Sequence, residues 1–173
     1  MSRTEPYRLM ALNNAWANAT FYSALKDLPK GDFIAHAPGF FGSLKETLNH
    51  IWQVDLYYVD ALEQGGKGRS VYDLPELTDP EELAAAQAEV DMRFARFCSA
   101  LTDGMLAETR RTERRDGLFD ERVDALILHL AQHQVHHRGQ AHVQLQYQGV
   151  APPQLDEFYL EYDRAPTARA YFG

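Results

Sequence analysis

A single cysteine, Cys98, stands among 173 residues. One thiol can neither close an internal disulfide nor make up a CxxC centre, so a disulfide-stapled scaffold and a paired-cysteine redox enzyme are both excluded. No apolar run approaches the ~18 residues of a membrane span, and the opening MSRTEPYRLM lacks the apolar core of a signal peptide. Positive charge is also short: 17 Lys and Arg face 25 Asp and Glu, a formal net charge of −8. Such a chain is repelled by phosphate backbones and anionic lipid, so neither nucleic acid nor membrane is an expected partner. Three further signatures are absent: the glycine patterns of P-loop and Rossmann sites, the CxxCH of attached haem, and the Glu-x-x-His pairs of di-iron bundles. These absences leave a small protein expected in the cytoplasm.

The residues that are present suit one globular core. Hydrophobic residues make up 45% and charged residues 24%, an ordinary globular balance. A chain of this length buries roughly 70% of its unfolded surface, so residues 1–173 are read as one domain. Four long helical segments are expected. The first runs from about Glu5 to Leu28, with Leu9, Leu12, Trp16, Ala19 and Tyr22 near helical spacing, before Pro29 and Gly31. After the HAPGFFG crossing, Ser43 and Glu46 form an S-x-x-E capping box for the second, which should end at Gly65-Gly66. Thr78-Asp79-Pro80 opens the third, closing near Asp103-Gly104. Asp116-Gly117 then lies between two short Thr- and Arg-containing runs and suggests a β-hairpin. The fourth and longest helix spans about Glu121 to Gln148. QLDEFYLEYD, after Pro152-Pro153, reads as a short terminal helix. The fold class is all-α, a four-helix bundle with a short hairpin before its last long helix.

Histidine is the informative residue. Five of the seven lie in the fourth segment: His129, His133, His136, His137 and His142. Residues at i and i+4 differ by about 40° in direction, so His129, His133 and His137 climb one face with His136 beside them. Two imidazoles at that spacing reach one metal ion, as in HExxH metalloproteases, although the Glu of that motif is missing here. A third imidazole from another helix would complete a three-histidine site with open positions. His50, in TLNHIWQVD, is the natural candidate, and His36 lies in the loop before it. Most helical histidines are surface or hydrogen-bonded core residues. Periodicity alone leaves the 129/133, 133/136 and 133/137 pairs open, because the helix is apolar on several sides.

The segment LHLAQHQVHHRGQ resembles the signature of the DinB (YfiT-like) family of four-helix-bundle metalloproteins, distinct from the translesion polymerase that shares the name. LNNAWANATFY is similar to that family's first helix and GSLKETLNHIWQVDLYYVDAL to its second, in the same order, from about Tyr7 to Tyr162. The resemblance implies an up-down-down-up bundle holding one divalent metal, and three imidazoles suit zinc or nickel among the transition ions. It assigns the ligands to His50 and to the i, i+4 pair His133 and His137. It further implies a metal-dependent hydrolase or a transferase using low-molecular-weight thiols, commonly a homodimer. The alternative is a non-catalytic metal-binding or stress-response module in which the ion is structural. His129 and His136 become candidates to close the coordination sphere or to sit beside it, and Gln140 to orient a ligand. No general base stands out.

Four other features carry competing readings. Cys98, among Phe94, Phe97 and Leu101, reads as a buried thiol rather than a nucleophile. Arg110 to Arg115, RRTERR, reads as a solvated hairpin rather than a phosphate site. Trp16, Trp52, Tyr57 and Tyr58 line either a pocket above the metal or the core. Asp55 either accepts from an imidazole N–H or caps a surface face.

Overall fold

Local capping chemistry sets the helix starts in the computed structural model, which describes residues 3–29, 31–160 and 166–172. Helix α1 (Glu5–Ala24) passes into a 3-10 turn, Leu25–Asp27, so helical backbone ends one residue short of the expected Leu28. Ser43 caps α2 (Leu44–Glu63), its hydroxyl accepting the Glu46 N–H at 3.2 Å. The reciprocal bond differs from the expected box: Glu46 Oε2 accepts from the Gly42 N–H at 2.8 Å, one residue before the cap. Asp79 caps α3 (Pro80–Ser99) by accepting from the N–H groups of Glu81 and Glu82. That helix stops four residues before Asp103.

The hairpin pairs β1 (Thr109–Arg114) with β2 (Gly117–Arg122), Arg114 opposite Gly117. Arg115 and Asp116 are therefore the two loop residues, one position earlier than the Asp116-Gly117 centre read from sequence. Gly117 takes a φ of +135° as the chain enters β2, where a side chain would be strained. Glu121 belongs to β2, so α4 (Val123–Tyr147) starts two residues later than expected. Its 25 residues span roughly 37 Å.

Contacts between helix ends give the topology. Asn49, early in α2, exchanges hydrogen bonds with the backbone of Leu77, just ahead of α3, and Glu63 at the end of α2 pairs with Arg93 near the end of α3. These two helices run parallel, which requires the long return from Gln64 to Asp79. Thr47 near the start of α2 meets Gln144 near the end of α4 at 2.7 Å, so that pair is antiparallel. Tyr7 and Arg3 at the head of α1 lie close to Arg122 and Asp124 at the head of α4. The order is up-down-down-up, with α1 packed chiefly on α3 and α2 on α4.

The main core runs through all four long helices, with Phe21, Leu44, Ile51, Leu62, Leu83, Phe94, Ile127, Leu130 and Leu145 among its buried side chains. A second cluster joins Trp16 and Ala17 of α1 to Phe158 and Ala168. The terminal segment departs from expectation: residues 154–160 form no helix, and 161–163 lie outside the described residues. The apolar spacing of Leu155 and Phe158 reflects an irregular strap, anchored by the Phe158 ring 5.7 Å from Trp16. The helix comes later, as α5 (Pro166–Phe172), where Pro166 occupies a position that tolerates its missing N–H.

Candidate metal centre

Antiparallel packing of α2 on α4 brings His50 against His133 and His137. Ring centroids lie 5.0 Å apart for His50 and His133, 4.6 Å for His50 and His137, and 4.4 Å for His133 and His137. One nitrogen from each falls within 4.8 Å of the others. Of the pairs left open by periodicity, 133/137 is the one that faces His50. His129 is exposed, its ring 6.2 Å from His133 and 4.8 Å from Tyr58. His136 is exposed beside His137, and His36 engages Gln148 through its carbonyl. Among the described residues, no fourth His, Cys, Asp or Glu joins the group.

The residues fit a divalent ion. His50 Nε2 and His133 Nε2 face each other at 3.0 Å. Two nitrogens on one ion, with bonds of ~2.0–2.1 Å, sit about 2.9–3.4 Å apart for right-angle to tetrahedral arrangements. Burial, then the neighbouring His137, drives His50 down to about 4. Burial and the surrounding imidazoles drive His133 down to about 3, and burial lowers His137 as well. All three are neutral at neutral pH, so lone pairs are available without displacing protons. Three imidazoles suit zinc, nickel and other first-row ions.

Support around the rings is uneven. Gln140 Oε1 accepts from His137 Nδ1–H at 2.9 Å, while Gln140 Nε2 donates to His136 Nε2 at 3.2 Å. That amide orientation fixes the Nδ1–H tautomer of His137 and leaves its Nε2 lone pair free. His133 Nδ1 is buried with no partner, so packing alone orients that ring. Phe41 supplies one wall, 4.6 Å from His50 and 5.6 Å from His137, and Gln144 holds its carbonyl at 2.8 Å. Sequence reading took HAPGFFG only as a crossing. Its paired aromatics, bounded by glycines and ahead of a cap, were the available signal.

The other candidates scatter. Asp55 neither meets an imidazole nor caps a surface. Five residues beyond His50, it points about 140° away and accepts from Gln87 and Gln134 inside the bundle. Cys98 is buried, and burial pushes its thiol up to about 12, as suits a core residue. Arg110 is not solvated: it is buried, donating to the Leu62 carbonyl at 2.9 Å, while Arg111 pairs with Asp120 outside. Trp16 and Trp52 belong to the core. Tyr58 reaches His129 and accepts from Arg114 at 2.7 Å.

Sequence reading missed a polar network through the bundle. Arg138 donates to Asn14 and Asn18, both at 2.9 Å, and to Gln134. Asp91 accepts from Asn14, Asn18 and Gln87, and Gln87 also donates to Asp55 at 2.7 Å. Burial pushes Asp91 up to about 7, and burial together with Asp91 raises Asp55 well above the usual carboxylate range. Three polar i, i+4 pairs, Asn14/Asn18, Gln87/Asp91 and Gln134/Arg138, were the signal in the sequence.

Comparison with known proteins agrees with this architecture. Protein DinB of Bacillus subtilis (strain 168) is 24% identical over 152 residues, covering 83% of this chain and 86% of that one. A DinB-like protein from Bacillus cereus ATCC 10987 superposes with a TM-score of 0.62 at 20% identity, over 80% of this chain and 90% of that one. A second, YjoA of Bacillus subtilis, gives 0.60 at 16% identity, over 84% and 96%. At such identities these structures speak to the fold alone. The DinB family profile matches residues 1–168, and the chain belongs to the DinB family.

Proposed function

We propose that this protein binds one divalent transition metal, zinc or nickel, through His50, His133 and His137, and uses it as a metal-dependent hydrolase or a thiol transferase. The observation that carries the reading is the convergence of three neutral imidazoles with no fourth side-chain ligand among the described residues. Structural zinc sites use four protein ligands, whereas three leave positions for water or substrate. A bound ion of this kind lowers the pKa of the water or thiol it holds, which is the chemistry both reactions share. The chain's own residues do the rest: Gln140 holds the His137 tautomer, and Phe41 shields one side of the rings from solvent.

The second reading, a structural ion clamping α2 to α4, rests on the same cross-helix geometry. A second copy of the chain is the proposed partner, supported by Leu128, Val135, Val143 and Tyr147, which lie exposed on one side of α4. A reducing cytoplasm suits the one buried thiol. No described helix is long and apolar enough to cross a membrane.

Elemental mass spectrometry on tag-free protein tests the proposal. About one divalent ion per chain is expected in the wild type and none in His133→Ala. Hydrolase and thiol-transfer assays then follow on the loaded protein. Absence of stoichiometric metal after reconstitution would overturn the metal reading. A variant that loses its fold along with its metal would favour the structural clamp over catalysis.

A further inference from the structure

Arg138 spends only part of its guanidinium on the bundle. All of its hydrogen bonds leave from Nη1, to Asn14, Asn18 and Gln134. Each acceptor is an amide, and Asp91 and Asp55 stand behind those amides, bonded to them rather than to Arg138. Nε and Nη2 carry three further N–H donors and have no acceptor among the described residues. Nor are they sealed in: the buried side-chain atoms without a partner belong to Tyr22, Asp55, Gln87 and His133, and none to Arg138. Two adjacent guanidinium nitrogens with free N–H groups match the two oxygens of a carboxylate.

What Arg138 lines is a cavity of about 650 Å³ between α1, α4 and the strap, with none of the three metal-site histidines on its walls. That is the size of a small-molecule site. Met10, Pro152, Pro153, Leu155 and Tyr159 give it apolar walls. Those walls are tied down, the Tyr159 hydroxyl donating to Met10 Sδ and His142 Nε2–H to the Pro153 carbonyl, both at 3.1 Å. Asn13 lines the cavity too, and its amide has no hydrogen-bond partner among the described residues. Arg138 is 6% exposed and Asn13 8%, so a cation and an amide with spare donors are both held in low-dielectric surroundings beside apolar walls. Asp156, exposed, is the one carboxylate among the lining residues, and it disfavours a second negative charge on a ligand.

We propose that this cavity binds a small monocarboxylate with an aromatic or branched apolar body, its carboxylate taken by the free Nε and Nη2 of Arg138 with the Asn13 amide as a second donor. The apolar body lies against the prolines, Leu155 and Tyr159.

Calorimetric titration of the full chain with sodium 3-phenylpropionate at pH 7 tests this. 3-Phenylpropionamide has the shape without the charge, and sodium acetate at equal ionic strength has the charge without the body. Saturable binding of phenylpropionate is expected, with both controls weaker by about tenfold or more. Arg138 itself is a poor test position, since its loss unsettles the bundle. Gly139 also lines the cavity, and a Cβ there meets nothing within 4 Å. Leucine is the better helix former, so Gly139→Leu should fold and, by filling the cavity, abolish binding while leaving all three metal-site histidines in place. Asn13→Ala removes an unpartnered amide and should weaken binding about tenfold. Binding that survives Gly139→Leu would place the carboxylate elsewhere, on a metal held by the histidines for instance, and would overturn the proposal. No saturable binding, equal affinity for the amide, or wild-type affinity in Asn13→Ala would overturn it as well. Should Gly139→Leu not fold, Asn13→Ala and the amide control decide.

Discussion

Two turns of α4 feed two polar clusters of opposite character. His133 and His137 face α2, while Gln134 and Arg138, each one residue further and so about 100° round the helix, face Asn14 and Asn18 of α1. The Arg138 network carries cation, anions and amides together, and most of its groups are paired within the bundle. The imidazole cluster holds lone pairs facing one another, and among the described residues no carboxylate joins it and no charged side chain other than histidine figures among the causes that shift its rings. Polar groups buried for structure bring their own partners, because an unpaired one costs stability. Lone pairs of one kind gathered at one point instead call for a ligand from outside.

Removing the cation should break this contrast most sharply. Arg138→Met leaves Asp55 and Asp91 buried without a counter-charge, and the expected loss is about 3–5 kcal/mol of folding stability. Urea denaturation measures it, and elemental analysis of the fraction still folded should find metal bound. His133→Ala should do the reverse. Metal affinity should fall by more than the tenfold to hundredfold that loss of an orienting partner costs, while the metal-free protein keeps its urea midpoint within about 1 kcal/mol, because His133 Nδ1 has no partner to lose. Equal destabilisation by both substitutions would erase the distinction between the clusters.

The same contrast explains how much could be read from the sequence. The helices, the caps at Ser43 and Asp79 and the hairpin are local features, so their signals lie within a few residues of the structure they specify. The histidine pair was legible as spacing, but α4 is apolar on several sides, and only the placement of His50 on α2 separates 133/137 from its competitors. The network was illegible because nothing local to Asn14, Asn18, Gln87 or Asp91 marks them as buried. What buries them is their pairing across helices as many as 124 residues apart. Asp55 shows the same effect: proximity to His50 in sequence suggested an imidazole partner, and helical rotation carried it to the other cluster. The strap around Phe158 escaped because the α1 residues it packs on, Trp16 and Ala17, lie more than a hundred residues away.

Acid and base should separate the clusters further. In the folded protein Asp91 holds its proton up to about 7, whereas an unfolded Asp releases it near 3.9. The native state therefore binds more protons across that interval, and this contribution to stability, complete at about pH 4, is lost as pH rises to about 7. The imidazoles slope the other way. His50 and His133 stay neutral down to about 4 and 3, so their contribution is lost as pH falls below about 6.5, where unfolded histidine takes up protons. Groups facing Asp91, namely Asp55, Arg138, Tyr22 and Tyr171, set the steepness of its part. Urea denaturation of wild type and Asp91→Asn at matched pH isolates it. The wild type should lose stability relative to the variant from pH 4 to 7, by a few kcal/mol at most. A flat or rising difference would mean that Asp91 titrates normally.

The smallest effect should fall inside the imidazole cluster itself. Gln140 accepts from His137 Nδ1–H while His133 Nδ1 has no partner, so one of the two α4 rings is oriented by a hydrogen bond and the other by packing. Gln140→Ala should weaken metal binding about tenfold, the lower end of what an orienting partner contributes, with Tm of the metal-free protein nearly unchanged because Gln140 is only half-buried. Gln140→Glu keeps an acceptor at the same reach and should restore the affinity, since a carboxylate also accepts from Nδ1–H and raises the basicity of the opposite nitrogen. Competition against a chelator of known affinity reads both variants. Rescue by Glu but not by Ala would assign Gln140 an electronic and orienting role on His137. Equal affinities in all three proteins would show that packing holds His137 as it holds His133.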